Sequence, residues 1–410
     1  MDKPTSLAPS PEGPWLPLLA RAVTVATRLA ELSALKDSAD PARDAAAPHT
    51  FPEAEFALLA ESGLLAGPVP QRFGGGGLNG VAGGMLTLLQ LLKHVGRGSL
   101  PTGRIYEGHV NAHALVEWFG TPEQQARAAE DTVRDHRVFG VWNAEEEPPG
   151  VGLKLHDLGN GRYRMEGGKL FCSGLGRVTR PIIGGRWEGG GWQMCLVPMD
   201  EIAARVDHRW WQPMGMEATV SGAIDLTGIE LSNDTLLGAP DDYYREPGFN
   251  GGAIRFAAVQ LGGAEALYDA ARAYLQNGGR TDHPIQRVRA AEGAMRIESG
   301  DLWLRGAAAV TELLPQAPWE IAMYAGMTRL AIETICLDTI RHVERIVGAR
   351  GLIRPHPFPR MIRDLTMYLR QPAPDAVVDR VGRHVLDHPG PAHQHWPKTP
   401  AEMAASQGTK

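Results

Sequence analysis

The chain reads as an α+β protein built from three consecutive parts, and two observations predict this. Apolar residues keep three- and four-residue spacing in the first third and again after residue 246, whereas the stretch between them runs in short alternating segments broken by glycine. The predicted parts are an N-terminal helical domain over 15–137, a middle β-barrel or sandwich over 138–245 and a C-terminal four-helix bundle over 246–387. Residues 1–14 and 388–410, rich in Pro, Ala, Gly, Ser and charge, read as tails.

In the first part, Leu16, Leu19, Val23, Ala26 and Leu29 form one helical stripe, and Phe56, Leu58 and Leu59 begin a second, shorter helix. In the second, the run from Tyr163 to Phe171, then Trp192 to Val197, then Gly222 to Thr227 read as strands. Turns are expected at Gly159-Asn160-Gly161 and Gly189-Gly190-Gly191. In the third, helices are expected over Ile254 to Leu275, Ile285 to Leu314, Trp319 to Val347 and Phe358 to Leu386. Within the third of these, Ile332, Ile335, Thr339, Ile340, Val343 and Ile346 share a face.

Composition excludes several functions. A formal charge of -6 over 410 residues leaves no basic face for nucleic acid. No apolar run is long enough to span a membrane, and the segment from Met1 to Pro17 lacks the cationic and apolar regions of a secretory signal. Three widely spaced cysteines, Cys172, Cys195 and Cys336, predict free thiols and a cytoplasmic protein.

Four local motifs, in this order, carry a resemblance. They are Ser62 to Gly77, in which a glycine turn leads into a proline-containing loop; Gly168 to Gly176, containing Phe171-Cys172-Ser173; Arg345 to Leu352, containing Gly348-Ala349-Arg350-Gly351; and Met361-Ile362-Arg363-Asp364-Leu365. Together with the helix–β–helix order they resemble the acyl-CoA dehydrogenase superfamily over about residues 15–385. The resemblance implies an FAD enzyme that oxidises the CH–CH bond of an acyl-CoA thioester, with hydride passing to flavin N5. It also implies a homodimer or homotetramer and an electron-transfer partner.

The resemblance assigns residues as well. Strand alternation puts Phe171 and Ser173 on one face, where an aromatic ring could stack on the isoalloxazine and a hydroxyl could bond its N5 edge. Phe139, Val141 and Trp142 fall on the strand implied to lie under the flavin's other side. Gly348 and Gly351 fall at the ADP contact, where glycine lets a nucleotide approach the backbone. Arg280 is what remains of a pyrophosphate-binding loop.

Departures from the family pattern are concentrated at the chemistry. α,β-Dehydrogenation needs a base within hydrogen-bond reach of the α-proton, and counting from Arg363-Asp364 puts Gln371-Pro372 where the family carries its glutamate. The alternative family position, residues 250–255, holds no acid either. Substitute bases are Asp375, beyond the Pro372-Ala373-Pro374 loop; Glu217, at the edge of the β block; and His109, on a helix of the first part. His113 lies one turn from His109, and satisfied polar histidines are favoured there over a metal pair. Glu145-Glu146-Glu147 would repel an anionic CoA if they faced the pocket. Three readings remain open: a dehydrogenase with a displaced base, a flavin monooxygenase on the same fold, or a non-catalytic scaffold subunit.

Overall fold

The computed structural model describes residues 15–38, 50–79, 83–145, 152–388 and 390–396. The N-terminal tail, most of the C-terminal one, and Glu146 and Glu147 therefore lie outside the described residues. Helices come first: α1 (Leu16–Ser38), α2 (Glu53–Glu61), α3 (Gly84–Gly98), α4 (Leu100–Phe119) and α5 (Pro122–Val133). The buried face of α1 is Leu18, Ala22, Val25, Ala26 and Leu29, while Leu16 and Val23 are about half exposed. The expected stripe is thus rotated, because several registers share apolar residues at helical spacing and only the packing partner α3 chooses between them. Ser99 caps α4 through Thr102, and Thr121 and Gln124 close a reciprocal capping box on α5.

Among the described residues ten strands follow: β1 (Val138–Trp142), β2 (Lys154–Gly159), β3 (Arg162–Glu166), β4 (Gly168–Cys172), β5 (Val178–Trp187), β6 (Trp192–Leu196), β7 (Arg205–Asp207), β8 (Gly222–Asp225), β9 (Glu230–Ser232) and β10 (Leu236–Leu237). The larger sheet runs β10-β6-β5-β2-β3-β9, with β1 parallel to the first half of β5, and β4-β8-β7 form the smaller sheet. The run expected as one strand from Tyr163 to Phe171 is two. Gly167, at φ +109°, turns the chain out of the larger sheet into the smaller one. The expected turn at Gly159-Asn160-Gly161 joins β2 to β3, with all three residues at positive φ.

A short α6 (Gly248–Gly251) leads into the bundle of α7 (Ala253–Asn277), α8 (Pro284–Leu313) and α9 (Pro318–Gly351). The predicted fourth helix is broken into α10 (Phe358–Tyr368) and α11 (Pro374–Asp387), and α12 (Ala392–His395) follows. Pro372 and Pro374 explain the break, since neither can donate a backbone hydrogen bond to a continuing helix. In α9, Gly348 sits at φ 61° and ψ -170°, so the helix kinks there and resumes as far as Gly351. The first and third parts pack most extensively through α3 on α7, with α7 also against α9. No described helix is long and apolar enough to cross a membrane.

Candidate active site

Two adjoining cavities meet where α4, the β block and the bundle converge. The first, of about 410 Å³, is lined by Arg104, Glu107 and Asn111 of α4, by Val141 and Asn143, by Phe171, Ser173 and Ser221, and by Tyr368, Arg370, Gln371 and Pro372. The second, of about 370 Å³, lies beyond Pro372 among α6, α7, α9 and α11. Asn111, Val141, Tyr243, Phe256 and Pro372 belong to both walls.

Phe171 and Ser173 do line one cavity, but the pleat does not bring them there. The pairing of β4 with β8 slips between Lys169 and Cys172, and Phe171 takes φ +52°. Such a bulge re-aims side chains next to sites, at a cost in strain. Phe171 stays about half exposed, edge-on to Trp210 at 4.8 Å and to Trp211 at 6.1 Å. Ser173 Oγ stands 2.9 Å from Ser221 Oγ, which stands 2.7 Å from Thr219 Oγ1, and Thr219 donates to Met216 O at 2.8 Å. This hydroxyl file runs from the cavity wall into the segment bound to α10. Met216 N donates to Asp364 Oδ1 at 2.6 Å, and a Cβ on Gly215 would come within 2.3 Å of Arg363 O. Burial raises the Asp364 carboxyl above its ordinary range, and that backbone hydrogen bond works against the rise.

Polar groups on the opposite wall are paired with one another. Glu107 is 3% exposed; its Oε2 accepts from Arg104 Nη1 at 2.9 Å and its Oε1 from Asn111 Nδ2. Asn143 Oδ1 accepts from Gly184 N at 2.9 Å, and the side chain interacts with Tyr243. The Tyr368 hydroxyl, by contrast, is buried without a hydrogen-bond partner, and burial holds its pKa well above the ordinary value.

Several predicted residues stand elsewhere. His109 is fully buried outside both cavities: its ring bonds Leu65 O through Nε2 at 2.9 Å and accepts from Phe139 N through Nδ1 at 3.1 Å. Burial lowers its pKa to about 4, so it is neutral and both nitrogens are engaged, which removes it as a base. His113 pairs with Thr132 Oγ1 at 2.9 Å, and no metal-binding cluster exists among the described residues. Phe139 is buried against these two rings. Trp142 is buried too, with Nε1 donating to Ser173 O at 3.0 Å, so it supports the Ser173 turn from behind. Val141 alone of that strand trio faces the cavities, because strand alternation turns Trp142 away.

Asp375 is exposed in the first turn of α11. Neither it nor Glu217 is among the cavity-lining side chains. Arg280 stacks on Tyr274 at 4.5 Å, and Tyr274 bonds Val347 O beside the Gly348 kink at 3.3 Å, so Arg280, Gly348 and Gly351 lie toward one end of the bundle. Within one chain none of the three reaches either cavity. Glu145 is paired with the buried Lys169. Sequence reading did not single out Glu107, Arg104, Asn111 or Asn143 as site residues. The one available signal was that Arg104, Glu107, Gly108 and Asn111 keep helical spacing on a single face.

Residues 31–135 match the acyl-CoA dehydrogenase N-terminal domain family and residues 243–369 the acyl-CoA dehydrogenase C-terminal domain family, together more than half the chain. The chain belongs to the acyl-CoA dehydrogenase superfamily. Among its relatives within that superfamily is the dibenzothiophene monooxygenase of Rhodococcus erythropolis, 26% identical over 368 residues, covering 82% of this chain and 87% of the relative. The mitochondrial short-chain specific acyl-CoA dehydrogenase of Bos taurus is 24% identical over 339 residues, covering 77% and 78%. The structure of TdsC from Paenibacillus sp. A11-2 with FMN and indole superposes with a TM-score of 0.79 at 22% identity, covering 92% of this chain and all of that one. The superfamily thus includes both reaction classes that the sequence left open.

Proposed function

We propose that the chain is a flavin-dependent monooxygenase acting on a small organic molecule. One observation carries this reading. The only carboxylate among the described residues of the flavin-side cavity, Glu107, has both oxygens engaged by Arg104 and Asn111, and Gln371 and Pro372 stand on its wall where the family's base would be. Oxygen transfer needs no α-proton base, so the missing glutamate is no defect for it. The monooxygenase relatives support the same choice.

The residues of the first cavity fit an isoalloxazine ring. Phe171 offers an aromatic face, the Ser173 hydroxyl and Asn143 offer polar contacts, and the buried Tyr368 hydroxyl lacks a partner. When bound, reduced flavin supplies two electrons, so that one atom of O₂ goes to the substrate and the other leaves as water. The chain's own residues orient and enclose the reactants. The Ser173–Ser221–Thr219 file fixes the direction in which the Ser173 hydroxyl points. The Tyr368 hydroxyl, free of a protein partner, would donate a hydrogen bond to a bound ligand without giving up its proton, its acidity being suppressed by burial. Trp211, Met216 and Phe256 keep the wall apolar and exclude water.

The FMN-bound structure of TdsC supports flavin mononucleotide as the form bound here. Self-association is supported by Ile285, Val288, Met295 and Leu302, an exposed apolar stripe along α8. The three free thiols suit the cytoplasm.

The test is oxygen uptake by purified protein given reduced flavin and candidate substrates, with ¹⁸O₂ to trace the label. Label in the organic product is expected. Bleaching of bound flavin by acyl-CoA under anaerobic conditions, with no label transfer, would restore the dehydrogenase.

A further inference from the structure

The second cavity differs from the first in charge. Arg255, Arg329 and Arg380 all line it, and no carboxylate does among the described residues. Arg255 and Arg329 are more than nine-tenths buried, at 5% and 7% exposure. Each of the three has a buried Nε with no hydrogen-bond partner. Arg255 spends Nη1 on Asn111 Oδ1 at 3.1 Å and lies over the Trp118 ring at 5.7 Å. Arg329 spends Nη2 on Pro372 O at 2.7 Å and lies over Phe256 at 5.4 Å.

Buried guanidinium groups with spare donors are costly unless an anion completes them. The neighbouring acids are committed elsewhere: Glu107 to Arg104 and Asn111, and Glu333 to Arg370 at 3.2 Å. Burial lowers the pKa of Arg255 to about 10 and also lowers that of Arg329, which Arg380 depresses further by repulsion. Like charges facing one cavity favour a negative charge between them. The first turn of α11 adds its positive dipole end at Ala373 and Ala376. Small residues keep the space open: a Cβ on Gly326 would come within 3.0 Å of Val377 and narrow the gap between α9 and α11.

We infer that this cavity seats the acidic head of the substrate, an organic anion such as a carboxylate or a sulfur or phosphorus oxyacid. Its apolar body runs past Phe256 and Pro372, shared by both cavities, toward Phe171. The assignment rests on the oxygenase reading only in calling the anion a substrate. A guanidinium fork matches an oxyanion by two parallel hydrogen bonds, and Trp118, Phe249 and Val381 supply apolar walls for the remainder.

Isothermal titration of the purified chain, without flavin, compares benzoate and benzenesulfonate with neutral benzamide and with inorganic sulfate. At least one organic acid is expected to bind about tenfold or more tightly than benzamide, a gap of about 1.4 kcal/mol. Arg329→Gln is expected to close most of that gap. Because Arg329 also holds the Pro372 carbonyl, the partly buried Arg380, as Arg380→Gln, serves as the second variant and closes part of it. Equal binding of acid and amide, no binding of either acid, or folded variants that bind as the parent does would overturn the inference. Sulfate binding as tightly as benzenesulfonate would overturn the organic anion. Retained acid preference with no oxygen transfer would sink the proposed reaction and leave the head-group site standing.

Discussion

The two cavities that share Pro372 solve the problem of buried polarity in opposite ways. In the first, the charged and hydroxyl groups are largely matched to one another, Glu107 with Arg104 and Asn111, Ser173 with Ser221 and Thr219, and Asn143 Oδ1 with the Gly184 amide, while the Tyr368 hydroxyl and Asn143 Nδ2 keep no hydrogen-bond partner. In the second, three guanidinium groups keep unsatisfied donors. A matched wall is rigid without a ligand, whereas an unmatched one is completed by what binds. On the reading proposed above, the contrast is that between a surface that positions a cofactor and one that selects a charge.

The sharpest way to strain this comparison is where the segment carrying the hydroxyl file abuts α10. Gly215→Val would drive a side chain into the Arg363 carbonyl and the Asp364 amide. A loss of about 4 kcal/mol is expected in urea unfolding. If the folded fraction keeps its preference for organic acids, the two cavities are independent.

Protonating the buried histidines comes next. Burial favours neutral His109, with its pKa at about 4 against an ordinary 6.5, so the unfolded chain binds more protons between these values. His109 therefore adds stability that is complete above pH 6.5 and is lost as the pH falls toward 4, a contribution of about 3 kcal/mol. His113 titrates in the same direction. In urea unfolding across that window, His109→Gln should show a flatter pH profile than the parent chain. An unchanged slope would mean that His109 is not held neutral.

Smaller effects distinguish cofactor positioning from folding. Phe171→Ala removes a half-exposed ring, so it should weaken flavin binding about tenfold in a fluorescence titration and barely move the melting temperature. A large fall in melting temperature would make Phe171 a core residue instead. Ser173→Ala should cost about 1 kcal/mol of stability, leaving Ser221 and Thr219 paired. Its flavin affinity should fall severalfold, and an unaltered affinity would detach the hydroxyl file from the cofactor.

Much of the fold was legible because its signals are local. The order of helices, β block and helices follows from apolar spacing, and the Gly159-Asn160-Gly161 turn follows from residues that tolerate positive φ. The loss of the base at Pro372 could be counted along the chain from Arg363-Asp364. The break between α10 and α11 lay in the same letters, since Pro372 and Pro374 forbid the helix that apolar spacing alone would continue. The reading of His109 and His113 as satisfied histidines agrees with their partners, but those partners, Leu65, Phe139 and Thr132, came only with packing.

What sequence by itself determined about this protein, then, was its architecture, its family resemblance and the absence of the usual base. Tertiary structure decided the chemistry that remains. Phe171 and Ser173 share a wall through a bulge that no alternation rule contains. Glu107 has both oxygens bound, by a neighbouring arginine and a neighbouring amide. Arg255, Arg329 and Arg380, from three different helices, converge on one cavity only when α7, α9 and α11 pack. The physical reason is range: backbone preferences and periodicity act over a few residues, while the burial and pairing of a charge depend on which distant segments close around it.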